Sequence, residues 1–317
     1  LSMQDRACVM EANKITRQLW NESKPWFLKK IPKNANFYWG GSKMSFMRYM
    51  TIKSFKKYNP SWSVYLYTST DSTTDASWRQ IDDHHRSDSV DYKLEEDYCD
   101  RLIEEEAVKV IKVDFDKTPL TNAASEVHKS DYLRWTLLGT KGGLWCDMDV
   151  IFHRPLTDLR LNTPDRQDYD TVLCFDQRGR GPNVPDEIPI GFMLSSKSNL
   201  IFRTLARLAG QKYNPLAYQA IGTELFRSLG FKFDSFRNNF INKIYNIEPE
   251  EVYYFDHSHL DKVYEENCFE EIKDKSIGVH WYGGHPLSQE YNNKLTKDSY
   301  PDYDNTFTAI VKVALDQ

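Results

Sequence analysis

Followed for its alternation of apolar and polar positions, the chain divides into short apolar runs separated by helical stretches. NANFYWGG (34–41) reads as a first strand running into a glycine turn, SVYLYT (63–68) as a second and VKVIKVDF (108–115) as a third. Residues 46–58 carry helical spacing, which Asn59-Pro60 stops. Later, TVLCFD (171–176), IPIGFMLSS (188–196), VYYF (252–255) and IGVHW (277–281) read as strands, with helices at about 199–210 and 216–229. A polar helix is expected over residues 4–24. Strands alternating with helices predict an α/β fold, a doubly wound, mainly parallel mixed sheet flanked by helices. No repeat or low-complexity linker interrupts the pattern. One large domain over 1–317 is therefore expected, with a nucleotide-binding half at about 31–150 and an acceptor half with a C-terminal flap at about 151–317.

The densest pattern is HKSDYLRWTLLGTKGGLWCDMDV (128–150). It reads as a helix, a glycine turn, a buried strand, and two aspartates at i and i+2. Asp131 and Arg134 are three apart and share a helix face. Gly142-Gly143 stands where a left-handed cap is wanted. Asp147 and Asp149 emerge at the C-terminal end of the strand, where open α/β sheets bind ligands. Two such carboxylates can hold a hard divalent cation, which can in turn hold a diphosphate. Spacing alone does not single them out, because D-x-D also occurs at Asp114/Asp116, Asp168/Asp170 and Asp302/Asp304. Only Asp147/Asp149 follows an apolar strand preceded by a helix with its own Asp and Arg.

SDYLRW…GGLWCDMDV resembles the sugar-binding region of D-x-D glycosyltransferases of the GT32 type, and a related motif occurs in the clostridial glucosylating toxins. The resemblance implies a GT-A fold with a Rossmann-like nucleotide half. It also implies roles: Asp131 and Arg134 on the donor sugar, Asp147 and Asp149 on Mn²⁺ (or Mg²⁺) and the diphosphate. IPKNANFYWGG (31–41) resembles the opening of these transferases, which would place Trp39 and Gly40-Gly41 against the nucleoside; a strand-end Trp packed on the sheet is the alternative. GVHWYGGHPLSQEYNNKL (278–295) resembles the ending of glycogenin-like transferases. That makes His280 a third metal ligand, delivered to the sheet edge beside Asp149. Trp281, Gly283 and Gly284 would form a flap over the diphosphate. His285-Pro286 stands where Lys-Pro is expected, leaving phosphate donation to His285. Glu224 is the nearest candidate nucleophile, although a helix-start Glu satisfying backbone amides explains it better.

Composition narrows the class. Of the 317 residues 40% are hydrophobic and 14% aromatic, enough for a large core and for stacking on bases or sugars. The net charge of −5 gives no general case for nucleic acid, and no apolar run approaches a membrane span. Five scattered cysteines without C-x-x-C speak against a zinc site or disulfide framework. These features lead to a cytoplasmic expectation, a lumenal domain trimmed of its anchor being the alternative. Residues 24–60 carry nine bases and no acid, whereas 71–106 carry thirteen acids against four bases. Such runs are usually solvated faces; the functional alternative is an anionic acceptor or surface near residues 24–60.

The expected activity is metal-dependent transfer of a hexose from a UDP- or GDP-linked sugar to a hydroxyl acceptor. The resemblance implies retention of configuration. A glycan or glycolipid is the expected acceptor; DNA or protein acceptors, or a nucleotidyltransferase, are the alternatives.

Overall fold

The computed structural model describes residues 31–71, 94, 96–159, 169–176, 178, 187–217, 219–228 and 244–316. The helix expected at 4–24, most of the acidic insertion and Asp168 lie outside them.

Seven strands form one sheet in the order β3-β2-β1-β4-β7-β6-β8. They are β1 (Asn34–Tyr38), β2 (Ser63–Ser69), β3 (Lys109–Val113), β4 (Gly143–Cys146), β6 (Thr171–Cys174), β7 (Phe192–Ser195) and β8 (Ile244–Ile247). Only β7 runs antiparallel to its neighbours, β4 and β6; the other pairings are parallel. This is the doubly wound, mainly parallel mixed sheet that the alternation of strands and helices predicts. β5 (Val150–Phe152) and β9 (Gly278–His280) form a separate antiparallel ladder, with Val150 opposite His280. IGVHW therefore reaches Asp149 through its own two-stranded ladder rather than along the main sheet edge.

Helices cover both sheet faces. On one, α1 (Phe46–Tyr58) packs Phe55 edge-on against Phe37, Trp62 and Phe152. On the other, α3 (Glu126–Thr140) packs Trp135 flat against Phe202 of α4 (Leu200–Lys212) and Phe226 of α5 (Thr223–Ser228). The side-chain oxygens of Ser45, Ser125 and Asn199 cap α1, α3 and α4. Gly142 (φ 67°) and Gly143 (φ 97°) both take left-handed backbone, so α3 turns sharply into β4. α2 (Cys99–Glu106) closes the acidic insertion, and α6 (Pro286–Lys294) and α7 (Thr306–Leu315) end the fold.

VYYF (252–255) is not a strand. The 3₁₀ turn Pro249–Glu251 bends the chain, and the N–H groups of Val252 and Tyr253 both return to Pro249 O. Val252, Tyr253 and Phe255 are buried as an apolar run should be, but without a ladder. Conversely β5 and β8 were not read as strands in the sequence.

The basic run meets the acidic one. Lys53 pairs with Glu105 and Glu106 of α2, and Lys56 Nζ donates to Glu106 O. Lys57 caps the C-terminal end of α7 through Val313 O, and Lys43 reaches Leu94 O. Lys43, Lys53, Lys56 and Lys57, part of the alternative anionic-acceptor face, thus bind the chain's own carboxylates and carbonyls.

Candidate active site

The site forms where β4 ends. Asp147 N–H donates to Gly191 O (2.7 Å) at the start of the antiparallel neighbour β7. Asp147 Oδ1 accepts from Trp145 Nε1 (2.9 Å) and Arg134 Nη2 (3.0 Å). The same Arg134 nitrogen lies 3.3 Å from Asp131 Oδ1, and Arg134 Nη1 donates to Ile190 O (2.9 Å). One guanidinium therefore joins the helix aspartate to the strand-end aspartate. Burial pushes Asp131 up to about 7 against the pull of Arg134, with the charge of Asp147 adding to the rise.

Asp149 sits in a different field. Burial acts to raise its pKa, but the His280 imidazole, the Arg48 charge and the Gly283 N–H together hold it well below the usual carboxylate range. Gly283 N–H donates to Oδ2 (2.8 Å). Tyr282 takes left-handed backbone (φ 46°) just before it, a conformation that costs a non-glycine residue about 1–3 kcal/mol. His280 Nε2 lies 3.2 Å from Asp149 Oδ1, yet Oδ1 has no hydrogen-bond partner among the described residues. Ligand atoms of Asp147, Asp149 and His280 fall within 4.8 Å of one another. Two carboxylates and an imidazole suit Mn²⁺ or Mg²⁺ at the carboxylates and Mn²⁺ at the nitrogen. The unpartnered Oδ1 fits a site built for a cation. His280 Nδ1 accepts from Tyr282 N–H (3.3 Å), which leaves Nε2 as the ring nitrogen facing Asp149.

Beneath the aspartates lies Arg48, which sequence reading passed over. α1 buries its guanidinium 4.5 Å from the Trp39 ring and 5.3 Å from the Trp281 ring. Arg48 Nη1 (3.4 Å) and Thr51 Oγ1 (3.1 Å) both donate to Met148 O, the carbonyl between the two aspartates. The expected ligand-stacking tryptophans thus sandwich an arginine. Trp39 is 4% exposed, and its Nε1 donates to Lys43 O. Trp281 is 0% exposed, edge-on to Phe307, so its ring belongs to the core under the site rather than to a mobile flap. Gly283 is buried against Arg48, and exposure begins at Gly284. His285 is the N-cap of α6, its Nδ1 accepting from Leu287 N–H (3.2 Å), which gives that nitrogen a structural task instead of phosphate donation. Gly40 abuts Glu126, whose carboxylate bonds Tyr38 Oη and pairs with the fully buried Lys129 (2.8 Å). Glu224 is exposed in the first turn of α5.

Two glycines were also missed. A methyl on Gly222 would collide with Asp131 Oδ2, and one on Gly191 would stand 3.0 Å from Asp147 Oδ2 and 3.2 Å from His280 Nε2. Gly191 lies in the strand run 188–196 and Gly222 two residues before Glu224, but only the topology brings them against Asp147 and Asp131. The other described D-x-D pairs serve turns: Asp114 and Asp116 bind Asn122, and Asp304 binds Asn267.

Residues 45–169 match the family described as a glycosyltransferase sugar-binding region containing the DXD motif. That stretch holds Asp131, Arg134, Asp147 and Asp149. No match is found among curated proteins. Among solved structures, the chain is similar to the PaToxG glycosyltransferase at 15% identity, with 98% of each chain covered and a TM-score of 0.41. It is similar to the bifunctional glycosyltransferase WbbM at 11% identity, covering 90% of this chain and 50% of that one, with a TM-score of 0.46. The glycosyltransferase GlyE of Streptococcus pneumoniae TIGR4 follows at 13% identity, 90% and 61% coverage and a TM-score of 0.43.

Proposed function

We propose that this chain, a glycosyltransferase by its DXD-bearing sugar-binding region, moves a hexose from a UDP- or GDP-linked sugar to a hydroxyl acceptor with a divalent cation. The observation that carries the reading is the convergence of Asp147, Asp149 and His280 within 4.8 Å, joined through Arg134 to Asp131. Asp147, Asp149 and His280 would hold Mn²⁺ or Mg²⁺. Such an ion, when bound, neutralises charge on the departing nucleoside diphosphate.

The remaining work falls to the chain itself. Arg134 is fixed by Asp147 and Ile190 O, so it can face sugar hydroxyls without reorganising. Asp131 stands beside it, able to accept from a hydroxyl or, while protonated, to donate. Arg48 and Thr51 hold the backbone between the two aspartates, fixing the angle between their carboxylates. Gly40 and Gly41 let main chain approach a nucleoside. Gly283 and Gly284 line the approach to Asp149. Retention of configuration and a glycan or glycolipid acceptor complete the reading.

The test is donor hydrolysis without acceptor. UDP-glucose, UDP-galactose, UDP-GlcNAc and GDP-mannose are each incubated with the protein and Mn²⁺, with EDTA controls. One donor should be hydrolysed clearly faster than the rest, and EDTA should stop it. If no donor is turned over and none binds, the reading is wrong.

A further inference from the structure

Tyr253 is placed in the site by structure and left with nothing to do there. Its side chain is 2% exposed, and its hydroxyl has no hydrogen-bond partner among the described residues. Its main chain is fully committed: N–H donates to Pro249 O (2.7 Å), and the carbonyl accepts from Arg178 Nη2 (2.8 Å). Its ring packs against the His280 ring with centroids 5.2 Å apart. The direction of the hydroxyl follows from Gly191. The position a Cβ would take on Gly191 lies 3.0 Å from Asp147 Oδ2, 3.2 Å from His280 Nε2 and 3.3 Å from Tyr253 Oη. Carboxylate, imidazole and phenol therefore converge on one space that glycine keeps open.

A buried hydroxyl without a partner costs about 1–3 kcal/mol, and native chains seldom leave one so. A phenol keeps its proton at neutral pH and serves as a donor. Among the described residues neither Asp147 nor His280 accepts from it, and an acceptor that enters with a ligand would complete it.

Resting on the function proposed above, we infer that Tyr253 Oη donates a hydrogen bond to an oxygen that enters on the cation of the Asp147–Asp149–His280 site. That oxygen is a coordinated water or a phosphate oxygen of the nucleoside diphosphate. Tyr253 is thus a further ligand-binding residue, and Gly191 keeps its space clear.

Tyr253→Phe removes the hydroxyl and keeps the ring on His280. Gly191→Ala puts a methyl into the space that Asp147, His280 and Tyr253 share, and tests whether that space must stay open. Titration calorimetry measures Mn²⁺ alone, then UDP and GDP on Mn²⁺-loaded protein; thermal melts of the ligand-free proteins check folding. If the acceptor is a phosphate oxygen, Tyr253→Phe should weaken nucleotide about 5–10-fold and leave Mn²⁺ affinity unchanged. If it is a coordinated water, affinity for Mn²⁺ alone should fall by a similar factor. Gly191→Ala should weaken both Mn²⁺ and nucleotide, because its methyl also meets Asp147 Oδ2 and His280 Nε2. Unchanged affinities for both ligands in folded Tyr253→Phe would overturn the inference while leaving the function standing. A wild-type chain that binds neither Mn²⁺ nor nucleotide would overturn both together.

Discussion

Gly222 decides how closely main chain approaches Asp131, and nothing in its own sequence neighbourhood says so. Asp131, Arg134, Asp147 and Asp149 were legible because one continuous segment carries them at helical and strand spacing. Arg48, Gly191, Gly222 and Tyr253 come from four other segments, and no local period marks a residue whose role is set by a distant neighbour. Gly222→Ala tests this directly. The added methyl meets Asp131 Oδ2, so the carboxylate must swing away or the loop must retreat. Affinity for a nucleotide sugar should fall about tenfold or more, the scale of one charge-assisted hydrogen bond. Affinity for free UDP or GDP should hold. Equal losses for sugar nucleotide and free nucleotide would mean that Asp131 does not face the sugar.

At the scale of elements, capped helices and most apolar strand runs were readable, whereas β5 and β8 were not. The helices at 46–58 and about 199–210 appear as Phe46–Tyr58 and Leu200–Lys212, because their caps and apolar faces are local. The expected helix at about 216–229 shrinks to Thr223–Ser228 among the described residues, since the chain before it turns to place Gly222. β5 and β9 are three-residue strands whose pairing is specified by tertiary contact, as strand propensity often is. Just after β5, His153 is 5% exposed and bonded to Ser276 Oγ (2.9 Å). Burial, aided by the Arg154 charge, lowers its pKa from 6.5 to about 4. A folded pKa below the unfolded one means that the unfolded chain takes up the proton first as pH falls. The stabilisation is therefore complete above about pH 6.5 and is lost between there and about 4, to the extent of roughly 3 kcal/mol. His153→Gln should flatten that part of the pH–stability curve in urea melts at pH 7.5 and 5. Parallel curves for the two proteins would show that His153 does not titrate in this way.

For the whole molecule, strand and helix alternation was enough to predict the doubly wound sheet, and charge composition was not enough to predict what the charges do. The basic and acidic runs read as separate surfaces, yet Lys53 and Lys56 bind α2, which closes the acidic run. Charge complementarity within one chain is invisible until the fold brings the runs together. The same holds for the proposed cation site, where the turn after β4 carries two carboxylates and the β5–β9 ladder brings the imidazole. Because that site joins segments from residue 147 to residue 280, binding there should stabilise the fold as a whole. Mn²⁺ at about a hundred times its Kd adds about 2.7 kcal/mol. At about 2–4 °C per kcal/mol for domains approaching this size, Tm should rise by roughly 5–10 °C, and EDTA should reverse it. Asp149→Asn keeps the shape and removes the charge, so the variant should fold and lose most of the shift. His280→Ala should keep part of it, because the two carboxylates remain. A full Mn²⁺ shift in Asp149→Asn would place the cation elsewhere on the molecule and remove the metal from the proposed chemistry.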